Sequence, residues 1–181
     1  MINQDPIYWL FPKVIEKSVI DLFLEESKTL QTQQGTIGKS AKQQFRKVSV
    51  QYPGEFNHLN LMLHALAIKA NNNIWKYDLT DSFQCELLTY KETVGGKYDG
   101  HVDTLRMGPN IVRKLTVLAF LNDDYEGGKF FVMQDEVHKQ YIDASPGNVL
   151  VFPTFLMHGV EEVTKGTRKS LVSWISGPDF K

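Results

Sequence analysis

His101 and Asp103 stand two apart in the stretch KYDGHVDT, residues 97 to 104. In an extended strand side chains alternate faces, so the imidazole and the carboxylate point one way and Val102 points the other. Two such donors converging on one point can hold a divalent metal. A His-x-Asp pair also occurs on an ordinary polar strand face, so a third donor is needed. His158 supplies a candidate, 57 residues further on in VLVFPTFLMHGVEEVTKGTRKSLVSW. Taken singly, it reads equally well as a hydrogen-bonded core or edge histidine.

Two histidines and one carboxylate occupy one face of an octahedron and leave three positions open, the donor set of non-haem iron(II) sites. Arg168, ten residues after His158, strengthens that reading. In the strand RKSLVSW, Arg168, Ser170, Val172 and Trp174 share a face. A guanidinium on an inward face is costly unless an anion meets it, and its planar fork matches a carboxylate. Ser170 adds a hydrogen-bonding hydroxyl beside it. An arginine on a surface edge strand is the ordinary alternative, but it leaves the spacing from His158 unexplained.

These residues need a scaffold, and the chain predicts one. Its 181 residues suit a single domain, 1–181, and 20 Lys+Arg against 21 Asp+Glu exclude a strong nucleic-acid footprint from overall charge. Cys85 is the only cysteine, which removes internal disulfides and points to a reducing, cytoplasmic setting. The N-terminal MINQDPIYWLFPKVIEK lacks the pattern of a signal peptide, and no stretch is long and apolar enough to span a membrane. A first amphipathic helix is expected over 12–30, with Pro12 at its start and Ile15, Val19, Leu22, Phe23 and Leu30 inward. The polar QTQQGTIGKSAKQQ reads as a surface loop. A second helix carries Phe56, Leu59, Leu63, Leu66 and Ala70, and Asn71–Asn73 end it. From residue 74 onward, short β-rich runs follow one another: IWKYDL, SFQCELLTY, KLTVLAFLN, KFFVM, QYIDA, NVLVFP and RKSLVSWISG. Helices first and many short strands afterwards predict a mostly β double-sheet jelly roll, with helical support about 12–73 and a core about 74–178.

HVD, then His158, then Arg168 resembles the iron(II)/2-oxoglutarate-dependent dioxygenases, and specifically their prolyl 4-hydroxylase-like branch with its bacterial and phage members. LLTYKETVGGKYDGHVD, RKLTVLAFLNDDYEGGKFFV and ASPGNVLVFPTFLMHGVEEVTKGTRKSLVSWI carry the resemblance, which covers most of the chain after about residue 44. It implies a double-stranded β-helix core, iron(II) on His101, Asp103 and His158, and 2-oxoglutarate with its distal carboxylate on Arg168. It further implies dioxygen as cosubstrate, ascorbate as reductant, succinate and carbon dioxide as products, and hydroxylation of a prolyl residue in a peptide or protein. No nucleic-acid or membrane partner is expected, and no feature of the sequence speaks to oligomeric state.

By the same resemblance, Tyr90 and Ser170 join Arg168 around the cosubstrate, while Tyr98, Arg113 and Trp174 line the substrate opening. Tyr90 and Trp174 also read as core aromatics, and Arg113 as a solvated strand-edge charge. Phe120 is a departure, because many prolyl hydroxylases carry a tyrosine there whose hydroxyl helps to hold the distal carboxylate. Ser170 is the candidate replacement. The segment TLRMGPNIV, residues 104–112, is expected to be an irregular mobile loop at the mouth. NDDYEGG is too short for a calcium loop and reads as a hairpin turn. His58 and His64 fall on different faces of the second helix, and His138 has no partner in view. Hydroxylation of another side chain or of a free small molecule is the alternative within the same enzyme class. A non-catalytic metal-binding jelly roll would have no use for Arg168 and Ser170, and a zinc hydrolase would want a paired base such as H-E-x-x-H.

Overall fold

The structure, a computed structural model, describes residues 7–35, 44–80, 83–135 and 137–180. Its N-terminal part contains β1 (Trp9–Phe11), α1 (Lys17–Glu26) with a following 3-10 turn (Ser27–Thr29), β2 (Gln33–Gln34), β3 (Arg46–Lys47), β4 (Ser49–Gln51) and α2 (His58–Asn73). Then come β5 (Phe83–Lys91), a 3-10 turn (Glu92–Val94), β6 (Lys97–His101), β7 (Arg106–Gly108), β8 (Ile111–Phe120) and β9 (Tyr125–Gly127). β10 (Phe130–Met133), β11 (Lys139–Tyr141), β12 (Val149–Pro153), β13 (Met157–Val160) and β14 (Val163–Pro178) complete the chain.

The strands form two antiparallel sheets. The larger runs β1-β12-β8-β14-β5-β4-β2, with β7 added to β8 and β9 to β14; the smaller runs β11-β10-β13-β6-β3. This is the jelly roll the sequence predicts. Strict alternation in the long strands gives the large sheet two unlike faces. Cys85 and Leu87 of β5, Leu115, Val117 and Ala119 of β8, Val149 and Val151 of β12, and Leu171 and Ile175 of β14 pack under the helices. There they meet Ile20 and Phe23 of α1 and Leu59, Leu63, Ala67 and Ala70 of α2. Each fully buried Leu or Phe stabilises this layer by about 1.5–3 kcal/mol. The opposite face carries Leu88, Tyr90, Leu118, Phe120, Leu150, Phe152, Val172 and Trp174, which close on Phe130, Val132 and Val160 of the small sheet.

Several local expectations fail. Pro12 sits in a turn rather than at a helix start, and α1 begins only after Glu16. That turn is tied down by Gly147, whose carbonyl accepts from the amides of Val14 and Ile15 at 3.0 and 3.2 Å. Gly147 has φ +87°, and a Cβ there would lie 2.4 Å from the Ile15 carbonyl oxygen. Phe56 is 79% exposed and precedes α2, whose N-cap is Asn57, accepting from the Asn60 amide at 2.9 Å. The asparagines 71–73 do end α2, as its last turn, and buried Asn71 bonds both backbone groups of Tyr77. IWKYDL therefore forms no strand but a crossing held to the helix end. Four short strands instead arise before residue 74, so both sheets draw on the segment expected to be helical support. Residues 104–112 contain a short β7–β8 hairpin rather than an irregular loop. NDDYEGG is no hairpin turn, since its Tyr125–Gly127 pairs with β14. His138 has a partner in Asp135, 2.9 Å away. Most of the polar stretch 31–44 lies outside the described residues.

Candidate metal centre

His101 ends β6 and His158 lies on β13, and the two are directly opposite in register. Asp103 is not on a strand, contrary to the alternation argument. It lies two residues past the end of β6, where its amide donates to the Thr154 carbonyl at 2.8 Å. The loop nevertheless delivers its carboxylate to the histidines. Oδ2 stands 3.3 Å from His158 Nε2, and Oδ1 stands 3.5 Å from His101 Nε2. Among the described residues these three make the group whose donor atoms all lie within 4.8 Å of one another.

Both imidazoles are oriented by their own backbone. His101 Nδ1 lies 2.8 Å from the Asp99 carbonyl and His158 Nδ1 lies 2.8 Å from the Leu156 carbonyl. A carbonyl only accepts, so each Nδ1 carries a proton, and each Nε2, the nitrogen that would give up its own proton to a metal, faces Asp103. Asp103 is held in turn by Thr116 Oγ1 and Trp174 Nε1, which both donate to Oδ2 at 2.9 Å. Burial would raise the Asp103 carboxyl, but the imidazoles of His158 and His101 outweigh it and hold it well below the usual range. Burial pushes His101 down, against the raising effect of Asp103. One anionic oxygen donor and two imidazole nitrogens suit a divalent first-row metal. Right-angled bonds of about 2.1 Å would set neighbouring donors roughly 3 Å apart, near the two spacings found.

Tyr98 shows how the backbone aims the site. Three residues before His101, it should face the other way in a regular strand. The pairing of β6 with β13 shifts register, from Tyr98 opposite Val160 to His101 opposite His158, so β6 holds one extra residue. This bulge brings both rings to the cavity face, stacked with centroids 3.5 Å apart and planes 15° apart. Gly159 lets the two strands close up, because a Cβ there would lie 2.6 Å from Phe131 Cζ and 2.8 Å from the Tyr98 carbonyl. A second shift, between Ile175 opposite Leu115 and Ser176 opposite Arg113, leaves Lys114 as the extra residue. It turns Arg113 onto the face of Trp174, where the guanidinium carbon lies 3.9 Å from the indole centroid and Nη2 donates to Gln84 at 3.0 Å.

Arg168, Ser170, Val172 and Trp174 do share the cavity-facing side of β14. Arg168 is 1% exposed. Its Nη1 donates to Ser170 Oγ at 3.1 Å, while Nε and Nη2 are buried without a hydrogen-bond partner. No ion pair to Arg168 occurs among the described residues, and its guanidinium carbon lies 5.2 and 5.7 Å from the ring centres of Tyr90 and Phe120. Tyr90 is buried too, and burial pushes its phenol up to about 12. A buried cation with two orphan donors fits a carboxylate ligand. Ser170, opposite Phe120 in register, accepts from Arg168 and keeps its own O–H to donate.

The triad, Tyr90, Tyr98, Arg168, Ser170 and Trp174 line one cavity between the sheets, together with Thr116 and Arg46. Arg113 stands behind Trp174 rather than in the wall. Thr116 escaped the sequence reading, though a lone polar residue on the inward side of an apolar strand was a usable signal. Arg46 gave none, since its strand is two residues long.

The sequence profile of the 2OG-Fe(II) oxygenase superfamily matches residues 85–176. A PKHD-type hydroxylase of Gloeothece citriformis is 38% identical over 93 residues, covering 49% of this chain and 41% of that protein. The chain thus spans less than half the length of the curated relatives it matches. A Pseudomonas putida prolyl-4-hydroxylase superposes with TM-score 0.72 at 19% identity, over 96% of this chain and 94% of that one. A Trichoplax adhaerens prolyl hydroxylase, solved in complex with a peptide fragment of the hypoxia inducible factor oxygen degradation domain, gives 0.76 at 18% identity. That match covers 93% of this chain and 83% of the other. At such identities the likeness is one of fold.

Proposed function

Because this chain belongs to the 2OG-Fe(II) oxygenase superfamily, we propose that it is an iron(II)- and 2-oxoglutarate-dependent hydroxylase acting on a prolyl residue of a peptide or protein. The observation that carries this reading is Arg168, a fully buried guanidinium with two unpaired donors, in the same cavity as His101, Asp103 and His158. A site that only stored metal would have no need of that charge.

His101 Nε2, His158 Nε2 and the Asp103 carboxylate would hold iron(II), and Arg168 with Ser170 would hold the distal carboxylate of 2-oxoglutarate. Bound there, iron and 2-oxoglutarate would supply the oxidising chemistry with dioxygen, with succinate and carbon dioxide as co-products and ascorbate as the reductant. The chain's own share is positioning. Thr116 and Trp174 occupy Oδ2 of Asp103 and so favour metal ligation through Oδ1. Leu88, Leu118, Phe130, Phe152, Val160 and Val172 exclude water from the cavity and so strengthen the pull of Arg168 on an anion. Trp174 offers a flat wall to a pyrrolidine ring and is braced from behind by Arg113, while Tyr98, stacked on His101, closes the cavity beside the metal ligands.

An anaerobic titration with iron(II) and 2-oxoglutarate tests the cosubstrate directly. A visible metal-to-ligand charge-transfer band is expected, and no band under saturating conditions would sink the reading. Prolyl peptides should then gain one oxygen atom by mass. A gain on a free amino acid but on no prolyl peptide would keep the enzyme class and remove the prolyl substrate.

A further inference from the structure

Glu86 is an acidic side chain in the cavity-facing row of β5, where it precedes Leu88 and Tyr90. Its Oε2 accepts from Arg46 Nη2 at 3.0 Å, and the two side chains are only 16% and 12% exposed. β5 belongs to the large sheet and β3 to the small one, so this ion pair bridges the two sheets beside the cavity. Arg46 stands directly opposite Tyr98 in the pairing of β3 with β6, and its guanidinium carbon is 4.9 Å from the centre of that ring. One face of the Tyr98 ring is covered by His101, which leaves the other for the guanidinium. Glu86, Arg46, Tyr98 and His101 therefore form a column of contacts that starts between the sheets and ends on a metal-ligand candidate.

Stability alone is a poor reason for this pair. A largely buried ion pair loses much of its attraction to desolvation, and apolar side chains of similar volume often do as well or better. What a guanidinium adds is direction, because it is flat, stacks on an aromatic face and is pinned in plane by a carboxylate. His101 has one such restraint already, the bond from Nδ1 to the Asp99 carbonyl, which limits turning of the ring about Cβ–Cγ. That bond holds one edge of the ring. The Tyr98 stack supports its face, provided Tyr98 itself cannot swing on its bulged strand.

We infer that Arg46, anchored by Glu86, is a positioning residue for the metal centre, holding Tyr98 flat against His101 and so setting the direction of the His101 Nε2 lone pair. The inference rests on His101 being a metal ligand, as proposed above. Its consequence is an outer-shell effect on metal affinity and geometry that passes through a tyrosine rather than through a hydrogen bond to the ligand. Outer-shell partners of metal ligands typically change affinity about 10–100-fold, and a stacking contact belongs at the low end of that range.

Cobalt(II), whose visible bands report coordination geometry, is the probe, added to the full chain without dioxygen or 2-oxoglutarate. Arg46→Met should weaken cobalt binding by roughly tenfold and alter the bands. Arg46→Lys keeps a cation for Glu86 but not the flat group over Tyr98, and should fall between. The double variant Arg46→Met/Glu86→Leu guards against a general folding defect. It should recover the thermal stability of the parent and keep the altered cobalt spectrum. A double variant with both the parent's stability and the parent's spectrum would make the pair a structural clasp only, and the inference would be wrong. Failure of the unaltered chain to bind cobalt would instead remove the metal centre itself, and the inference with it.

Discussion

Along β14, Leu171 and Ile175 look toward the helices, while Arg168, Ser170, Val172 and Trp174 look toward the cavity. β8 repeats the contrast, with Leu115, Val117 and Ala119 on one side and Thr116, Leu118 and Phe120 on the other. The helix side is apolar and closely packed, and it stabilises the fold through burial. The cavity side keeps a guanidinium, a carboxylate and hydroxyls away from water, which costs stability unless ligands complete them. The large sheet thus meets the helices with an apolar layer and meets the cavity with Arg168, Ser170 and Thr116, across from the histidines of the small sheet, and substitutions on the two sides should separate stability from binding.

The largest effect is expected at the triad. His101→Ala should abolish tight iron(II) binding and turnover while leaving the apo-protein's melting temperature nearly unchanged, measured by metal titration and calorimetry. Tight iron binding in that variant would break the contrast outright. Arg168→Ala comes next. Losing the partner of a buried carboxylate costs about 3–5 kcal/mol, so half-saturation by 2-oxoglutarate should rise more than about a hundredfold, with cobalt(II) binding retained. On the other face, Leu63→Ala in α2 should destabilise the protein by about 2–5 kcal/mol in denaturant unfolding. Metal affinity of its folded fraction should match the parent; a large loss there would show that the faces are coupled.

Trp174→Phe keeps a buried aromatic but removes the indole donor to Asp103 Oδ2. Metal affinity should fall roughly tenfold with little change in stability, and an unchanged affinity would leave Trp174 as wall alone. The smallest effect concerns Cys85, on the helix face. Burial pushes its thiol up to about 11 from an ordinary 9. The folded state therefore retains the proton longer than the unfolded state. Its contribution to stability is present below pH 9 and is lost as pH rises through 11. At pH 8 alkylation of the folded chain should be at least about tenfold slower than in denaturant, because the thiolate is the reactive form. Equal rates would mean that this face opens readily.

Much of this arrangement was legible in the residues. Helical periodicity marked Leu59, Leu63 and Ala70, and strand alternation placed Arg168, Ser170, Val172 and Trp174 together, because both patterns follow from local backbone geometry. The spacing of His101, Asp103 and His158 suggested a shared point, and the structure brings those donors within 4.8 Å of one another. Local rules misled where tertiary contacts outweighed propensity. Pro12 went to a turn bonded to Gly147, IWKYDL to a crossing bonded by Asn71, and residues 104–112 to a hairpin on β8.

The sequence by itself determined which side chains share a face wherever a strand is regular, since a period of two is a property of the extended chain alone. It therefore determined the two faces of the large sheet and the row that carries Arg168. Only the tertiary structure decided the aim of Tyr98 and Arg113, because each depends on one extra residue in a strand, and a bulge exists only relative to the partner it fails to match. It likewise decided that Arg46 meets Glu86, 40 residues away and on the other sheet. No periodicity encodes a contact across the gap between two sheets; that distance is set by how the whole core packs.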